Sequence, residues 1–171
     1  MPSLIPLKVL DPDDKAKTCD LILKLCFTLL QVPDTRRIIE IEAPAAFALA
    51  ESIGDASRAA LACGHVLTAN LAERGLVVTP EINQWIERYD RYARPDTTER
   101  VSADAWLGVF KFARGDTFEG GRLITKGLDL ARRLDNQRAL LSVIGTFLMF
   151  RSAPQHTAER LHLAEEYRGS L

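Results

Sequence analysis

Apolar residues recur at i, i+3, i+4 and i+7 along most of this chain, the spacing of a helix with one buried face. In the first run Cys19, Ile22, Leu23, Cys26, Leu29 and Leu30 share a face, and the periodicity predicts a helix from near Asp13 to about Gln31, stopped by Pro33. Asp34 then offers a cap for a second helix, Thr35 to about Ile53, closed by Gly54. Asp55 can cap a third, in which Ala59, Ala60, Leu61, Ala62, Cys63 and Gly64 are mostly small and permit close approach, and which Gly75 ends.

Residues 76–79, Leu-Val-Val-Thr, form the one β-branched patch and read as a loop over an apolar edge. Pro80 suits a first helical turn and opens the stripe Ile82, Trp85, Ile86 and Tyr89, which Pro95 closes. Asp96-Thr97-Thr98-Glu99 has the spacing of a capping box before a fifth helix bearing Trp106, Val109, Phe110 and Ala113. Gly115-Asp116 breaks the chain and caps a sixth, with Leu123, Ile124, Gly127, Leu128 and Ala131 inward. After Asp135-Asn136 a seventh helix, Ala139 to about Arg151, is apolar nearly all round, and Pro154 opens the last, with Leu161, Leu163 and Ala164 before Gly169.

Eight helices make four pairs, about 14–54, 55–95, 96–135 and 136–168, preceded by a proline-rich tail or linker over 1–13. Gly64, Gly108 and Gly145 fall mid-way through amphipathic runs, with Cys26 at the matching place in the first, at separations of 38, 44 and 37 residues. A period of this size points to stacked helical hairpins. One irregularity tests the register: Asp34 pairs with Asp116 at a separation of 82, yet Ala50 pairs with Ala131 at 81, so the second helix holds one extra residue. With Pro44 close by, a kink or π-bulge is expected near Ile39 to Ala43.

Composition changes this picture little. Hydrophobic residues at 47% and charged ones at 26% are ordinary for a folded domain. Lys+Arg 22 against Asp+Glu 23 leaves a formal charge of -1, which disfavours nucleic acid or an anionic membrane surface as a partner. No apolar run approaches the roughly 18 residues of a membrane span. Cys19, Cys26 and Cys63, an odd number without CxxC spacing, read as small buried hydrophobes in a reducing cytoplasm.

Reactive constellations are not expected either. Gly115 to Arg122 mimics the glycine spacing of a phosphate loop, but its Gly121 and Arg122 stand where Lys and Ser or Thr are needed. His65, His156 and His162 show no metal-ligand clustering, and Cys63 and His65 lie about 200° apart around a helix, so they cannot act as nucleophile and base. Glu165 and Glu166 read as a solvated face. The expectation is a protein without catalytic residues, metal or cofactor.

Leu107-Gly108, Gly115-Asp116, Gly120, Ile124 and Gly127 resemble a tetratricopeptide repeat, in which small residues at those intervals let two antiparallel helices approach. Ile144-Gly145, Leu148, Thr157, Leu161 and Ala164 echo it, as do Leu25-Cys26, Leu29 and Pro33-Asp34 more weakly. The period near 40 exceeds the family's usual 34, and phrases such as Ala48 to Asp55 and Leu128 to Asp135 are similar to the long-helix repeats of bacterial signalling ATPases and maltose-regulator-like transcription activators. The resemblance implies an all-α, right-handed superhelix of about four antiparallel hairpins. Asp104 and Lys111 depart from it, being polar where the family prefers bulky apolar residues.

In such repeats the ligand-facing positions lie one and four residues after each marker. The resemblance therefore places Phe27 and Leu30, His65 and Thr68, Val109 and Phe112, and Thr146 and Met149 on a concave, apolar groove, with Arg58 as its one strong cation. Phe27, Phe112 and Met149 read equally well as core between adjacent hairpins. Two functions follow: a scaffold or regulatory module holding a protein, peptide or effector in the groove, or a homo-oligomer, such as a dimer, that stacks through open repeat ends near residues 154–171.

Overall fold

A computed structural model of the chain describes residues 14–32, 34–150 and 157–169. Among these there are eight helices and no strand. They are α1 (Lys15–Leu29), α2, α3 (Ala56–Arg74), α4 (Pro80–Tyr92), α5 (Thr98–Ala113), α6 (Thr117–Arg133), α7 (Gln137–Phe150) and α8 (Thr157–Gly169). Helix α2 is continuous but composite: an α-helical turn Thr35–Arg37, a π-helical Ile38–Glu42 and an α-helical Ala43–Ser52. No described helix is long and apolar enough to cross a membrane.

The π segment lies where the one-residue excess and Pro44 place it. The Ala43 amide donates to the Ile38 carbonyl, five residues back, so the surplus residue is absorbed as one wide turn. Its consequence is a buried charge: Glu42 faces inward and is held by Arg37, whose Nε donates to its Oε1 at 2.8 Å.

Helix starts are set by side-chain caps. Asp14, Asp55, Thr79, Thr97, Asp116 and Asn136 accept from the amides of Lys17, Arg58, Ile82, Arg100, Glu119 and Ala139 at 2.9–3.3 Å. Two expectations fail here. Asp34 makes no capping bond, and its amide instead closes a turn on the Val32 carbonyl at 2.7 Å. The box over 96–99 does not form either: Asp96 adopts φ 54°, so Thr97 caps and Glu99 falls one place short of reaching back. Gly54 and Gly75, at φ 68° and 69°, end α2 and α3 in the left-handed region that glycine enters without steric cost. The stop assigned to Pro33, the start assigned to Pro154 and the tail over 1–13 lie outside the described residues.

The chain divides into two compact units, residues 1–77 and 78–171, a boundary between α3 and α4 that falls inside the second hairpin read from the sequence. In the first unit α1, α2 and α3 pack against one another. Its core is Cys19, Ile22, Leu23, Cys26 and Leu29 from α1, Ile38, Ala46 and Phe47 from α2, and Ala59, Cys63, Val66 and Leu67 from α3. Asn70, buried on α3, donates to the Val77 carbonyl at 3.4 Å and ties down the irregular segment over 76–79.

In the second unit α4 packs on α5, α5 on α6 and α7, α6 on α7, and α7 on α8. The α5–α6 crossing is close for a reason visible in three glycines, Gly108, Gly120 and Gly127. A Cβ on Gly108 would lie 2.6 Å from Ile124 Cγ1 and 2.7 Å from the Gly120 carbonyl, and one on Gly127 would lie 3.1 Å from the Val101 carbonyl. Val101, Ile124, Leu128, Val143, Ile144, Phe147 and Leu163 fill the core around it. Buried in the same hairpin, Asp104 is 1% exposed and is met by charge: Arg100 Nη2 stands 2.8 Å and Lys126 Nζ 3.0 Å from its oxygens. Arg100 also donates to the Asp90 carbonyl at 3.1 Å and so pins the end of α4. Lys111, the other departure, is half-buried and 3.7 Å from Asp116.

Candidate functional site

The sequence-derived groove residues fall into two sets, one per unit. In the first unit Phe27 lies on α1, Leu30 directly follows it, and Arg58, His65 and Thr68 lie on α3. Two contacts fix how these helices run. Asp20 on α1 meets Arg58 on α3 across 38 residues of sequence, and Thr35 at the start of α2 donates to Glu73 near the end of α3, also across 38, at 3.2 Å. The start of α1 thus meets the start of α3, and the chain just beyond α1 meets the end of α3, so the two helices run in the same direction. Phe27 follows Asp20 by seven residues and His65 follows Arg58 by seven, so both continue the face that carries the ion pair.

Phe27 is 62% exposed there, and Leu61, between Arg58 and His65 on the α3 stripe, is 43% exposed. Leu61 was open to discovery from its spacing, three after Arg58 and four before His65, yet the glycine-offset rule passes over it. His65 and Thr68 are half-buried. Thr68 Oγ1 donates to the Gly64 carbonyl at 2.9 Å, and burial pushes the His65 imidazole below its ordinary pKa toward the neutral form.

Arg58 is not the available cation that the sequence led us to expect. Its Nε donates to Asp20 Oδ1 at 2.8 Å, its Nη2 to Asp20 Oδ2 at 2.9 Å, and its Nη1 bonds Asp55. Asp20 is held below the usual carboxylate range chiefly by its hydrogen bond with the Arg58 side chain; Asp55 is held low first by the Arg58 amide and then by its guanidinium. With both carboxylates engaged, the guanidinium is spent on joining α1 to α3 rather than on receiving an anion.

In the second unit the four positions divide. Val109 is 2% exposed, because α5 is flanked by α4, α6 and α7, and it cannot face a ligand. Phe112 is also a packing residue: its ring stacks on Phe150 of α7 with centroids 6.5 Å apart, and a Cβ on Gly120 would meet it at 2.8 Å. Thr146 is half-buried, with its hydroxyl donated to the Ser142 carbonyl at 3.1 Å. Met149 alone presents an open apolar side chain, 66% exposed on α7, beside a Gly145 whose Cβ direction is empty to 4 Å.

Elsewhere an open cleft of about 560 Å³ separates α6 from α8 and is lined by Thr125, Leu128, Arg132, His162, Leu163, Glu165 and Glu166. Glu165 is exposed as read, but Glu166 is not simply solvated: Arg132 Nη2 donates to its Oε2 at 2.6 Å and lowers its pKa. The buried thiols are ordinary core groups; burial pushes Cys26 up to about 12, with the Glu42 charge adding to the shift. What the first unit offers chemically is therefore an apolar strip of Phe27, Leu61 and His65, bounded by an ion triad of Arg58 with Asp20 and Asp55 that carries one net negative charge. No family model, curated protein or solved structure matches the chain.

Proposed function

We propose that the chain is a tetratricopeptide-like helical-repeat module without catalytic chemistry, and that it holds an apolar segment of a partner protein along the α1–α3 face. The repeat reading rests on register. The ion pair and the Thr35–Glu73 bond both span 38 residues, the separation of Cys26 from Gly64. Contacts between equivalent positions of successive units are what stacked hairpins produce, and a right-handed superhelix of four such hairpins is the arrangement we infer.

The binding reading rests on Phe27. A phenylalanine left 62% exposed on a helix whose other apolar residues are buried or partly buried is an anchor of the kind that dominates interface energetics, and Leu61 extends it. A role within a bacterial transcriptional or signalling regulator in the cytoplasm accords with the long-helix repeat resemblance.

The test compares capture of partner proteins by the wild-type chain, by Phe27→Asp and by Phe118→Asp, the last at a residue 85% exposed in the second unit. A partner retained by wild type and Phe118→Asp but lost by Phe27→Asp, with unchanged circular dichroism, supports the reading. Equal capture by all three removes it. Leu161, 62% exposed on α8, favours the second reading, assembly through the terminal hairpin; a dimer whose light-scattering mass is independent of concentration would move the assignment there.

A further inference from the structure

We propose that His65 determines which segments the α1–α3 face accepts: its imidazole hydrogen-bonds an uncharged polar group, a hydroxyl or an amide, that the partner segment carries beside its apolar anchor. This rests on the reading of that face as the partner site. Along the strip Phe27 and Leu61 offer only carbon. Thr68 donates its hydroxyl to the Gly64 carbonyl at 2.9 Å, and the Arg58 guanidinium is divided between Asp20 and Asp55. His65, four residues after Leu61 and three before Thr68, is different. Its side chain is half-buried, yet among the described residues neither ring nitrogen finds a hydrogen-bond partner, and neither is sealed from the surface. The imidazole thus turns an unsatisfied polar edge out of an apolar strip.

That edge is neutral, because burial disfavours the imidazolium, and a neutral imidazole carries one N–H donor and one bare acceptor nitrogen. In the free protein both are left to water. An apolar segment laid across Phe27 and Leu61 displaces that water, and unless it brings a hydrogen-bonding group of its own the edge stays unpaired. A segment that does bring one is preferred by roughly two- to tenfold, the worth of one neutral hydrogen bond.

The face also sets the charge of that group. From α1 come Asp20 and Lys24, and from α3 Asp55 and Arg58; two acids and two bases leave no net charge, and the Asp20 carboxyl is held low by Arg58 first and by Lys24 as well. A carboxylate on the partner would have to turn His65 into the imidazolium that burial opposes. An ammonium would lose its water with no surplus negative charge to receive it.

Phenol and toluene, which exchange a hydroxyl for a methyl group on the same ring, are the probes. Each is titrated into the isotope-labelled chain at neutral pH, and binding is read from the NMR shifts of Phe27, Leu61 and His65. Wild type should favour phenol over toluene by roughly two- to tenfold more than His65→Phe does. His65→Gln, which restores an uncharged hydrogen-bonding group, should recover part of that preference. In wild type, where no variant needs to fold, phenol should move the ring-nitrogen signals of His65 and toluene should not. An equal phenol-to-toluene ratio in wild type and His65→Phe, with both probes still on the strip, overturns the role of His65 and leaves the face as a binding surface. If neither probe shifts Phe27 or Leu61, the binding surface itself is overturned and the role of His65 with it.

Discussion

Gly108 and Gly145 both lie within helices, and a methyl group meets opposite fates at the two. At Gly108 it would collide with Ile124 Cγ1 at 2.6 Å and with the Gly120 backbone at 2.7 Å, neither of which can retreat without opening the α5–α6 crossing. Gly108→Ala is therefore expected to cost about 1–3 kcal/mol, as overpacking does. At Gly145 nothing lies within 4 Å, so alanine there should gain the roughly 0.5–1 kcal/mol by which it is the better helix residue. Urea unfolding of the two variants checks both signs. Cys26 yields a pH dependence. Its folded pKa, about 12, lies above the unfolded 9.0, so the native chain keeps a proton that the unfolded chain loses first. Its contribution is complete below about pH 9 and declines as pH rises toward 12. Cys26→Ala should flatten the fall in stability between pH 8 and pH 11, and an unchanged slope would remove the thiol as its cause.

Among the elements, α2 shows how one residue too many is accommodated. Inserted into a regular helix, an extra residue would turn all that follows by about 100° and carry the apolar face out of the core. The π turn over Ile38–Glu42 confines the surplus, so that Ala46, Phe47 and Ala50 regain the buried side. Deleting Ile41, which is solvent-exposed within that turn, should return the segment to α-helical bonding and preserve cooperative melting and ellipticity. Deleting the equally exposed Ala48 from the regular part should abolish both. If the two deletions behave alike, the wide turn is not what stores the extra residue. The α5–α6 hairpin illustrates a different compensation. Its buried Asp104 persists because Arg100 and Lys126 both reach it, and Arg100 at the same time secures the end of α4. Such a carboxylate is tolerated only while paired.

On the scale of the whole molecule, each unit has its own core and its own spectroscopic reporter. All three cysteines, Cys19, Cys26 and Cys63, are buried in the first unit, and both tryptophans, Trp85 and Trp106, belong to the second. Thiol reactivity and tryptophan fluorescence followed through a denaturant titration should give separate midpoints. Coincident curves would mean that the two cores unfold as one cooperative body.

The sequence by itself determined what depends on neighbours along the chain. Helix number and type, the inward stripes Ile82, Trp85, Ile86, Tyr89 and Leu123, Ile124, Leu128, Ala131, the left-handed stops at Gly54 and Gly75, and the bulge before Pro44 all follow from periodicity and local sterics. Tertiary structure decided what depends on which helices meet. Val109 and Phe112 share the spacing of Phe27 and Leu30, yet α5 has neighbours on enough sides to bury one and stack the other, while Phe27 stays open. Arg58 has the spacing of a groove cation, but only the approach of α1 brings Asp20 to it and neutralises it. A period along the chain fixes which face a residue is on; whether that face meets protein or solvent is set by packing between segments far apart in sequence, and no local pattern records it.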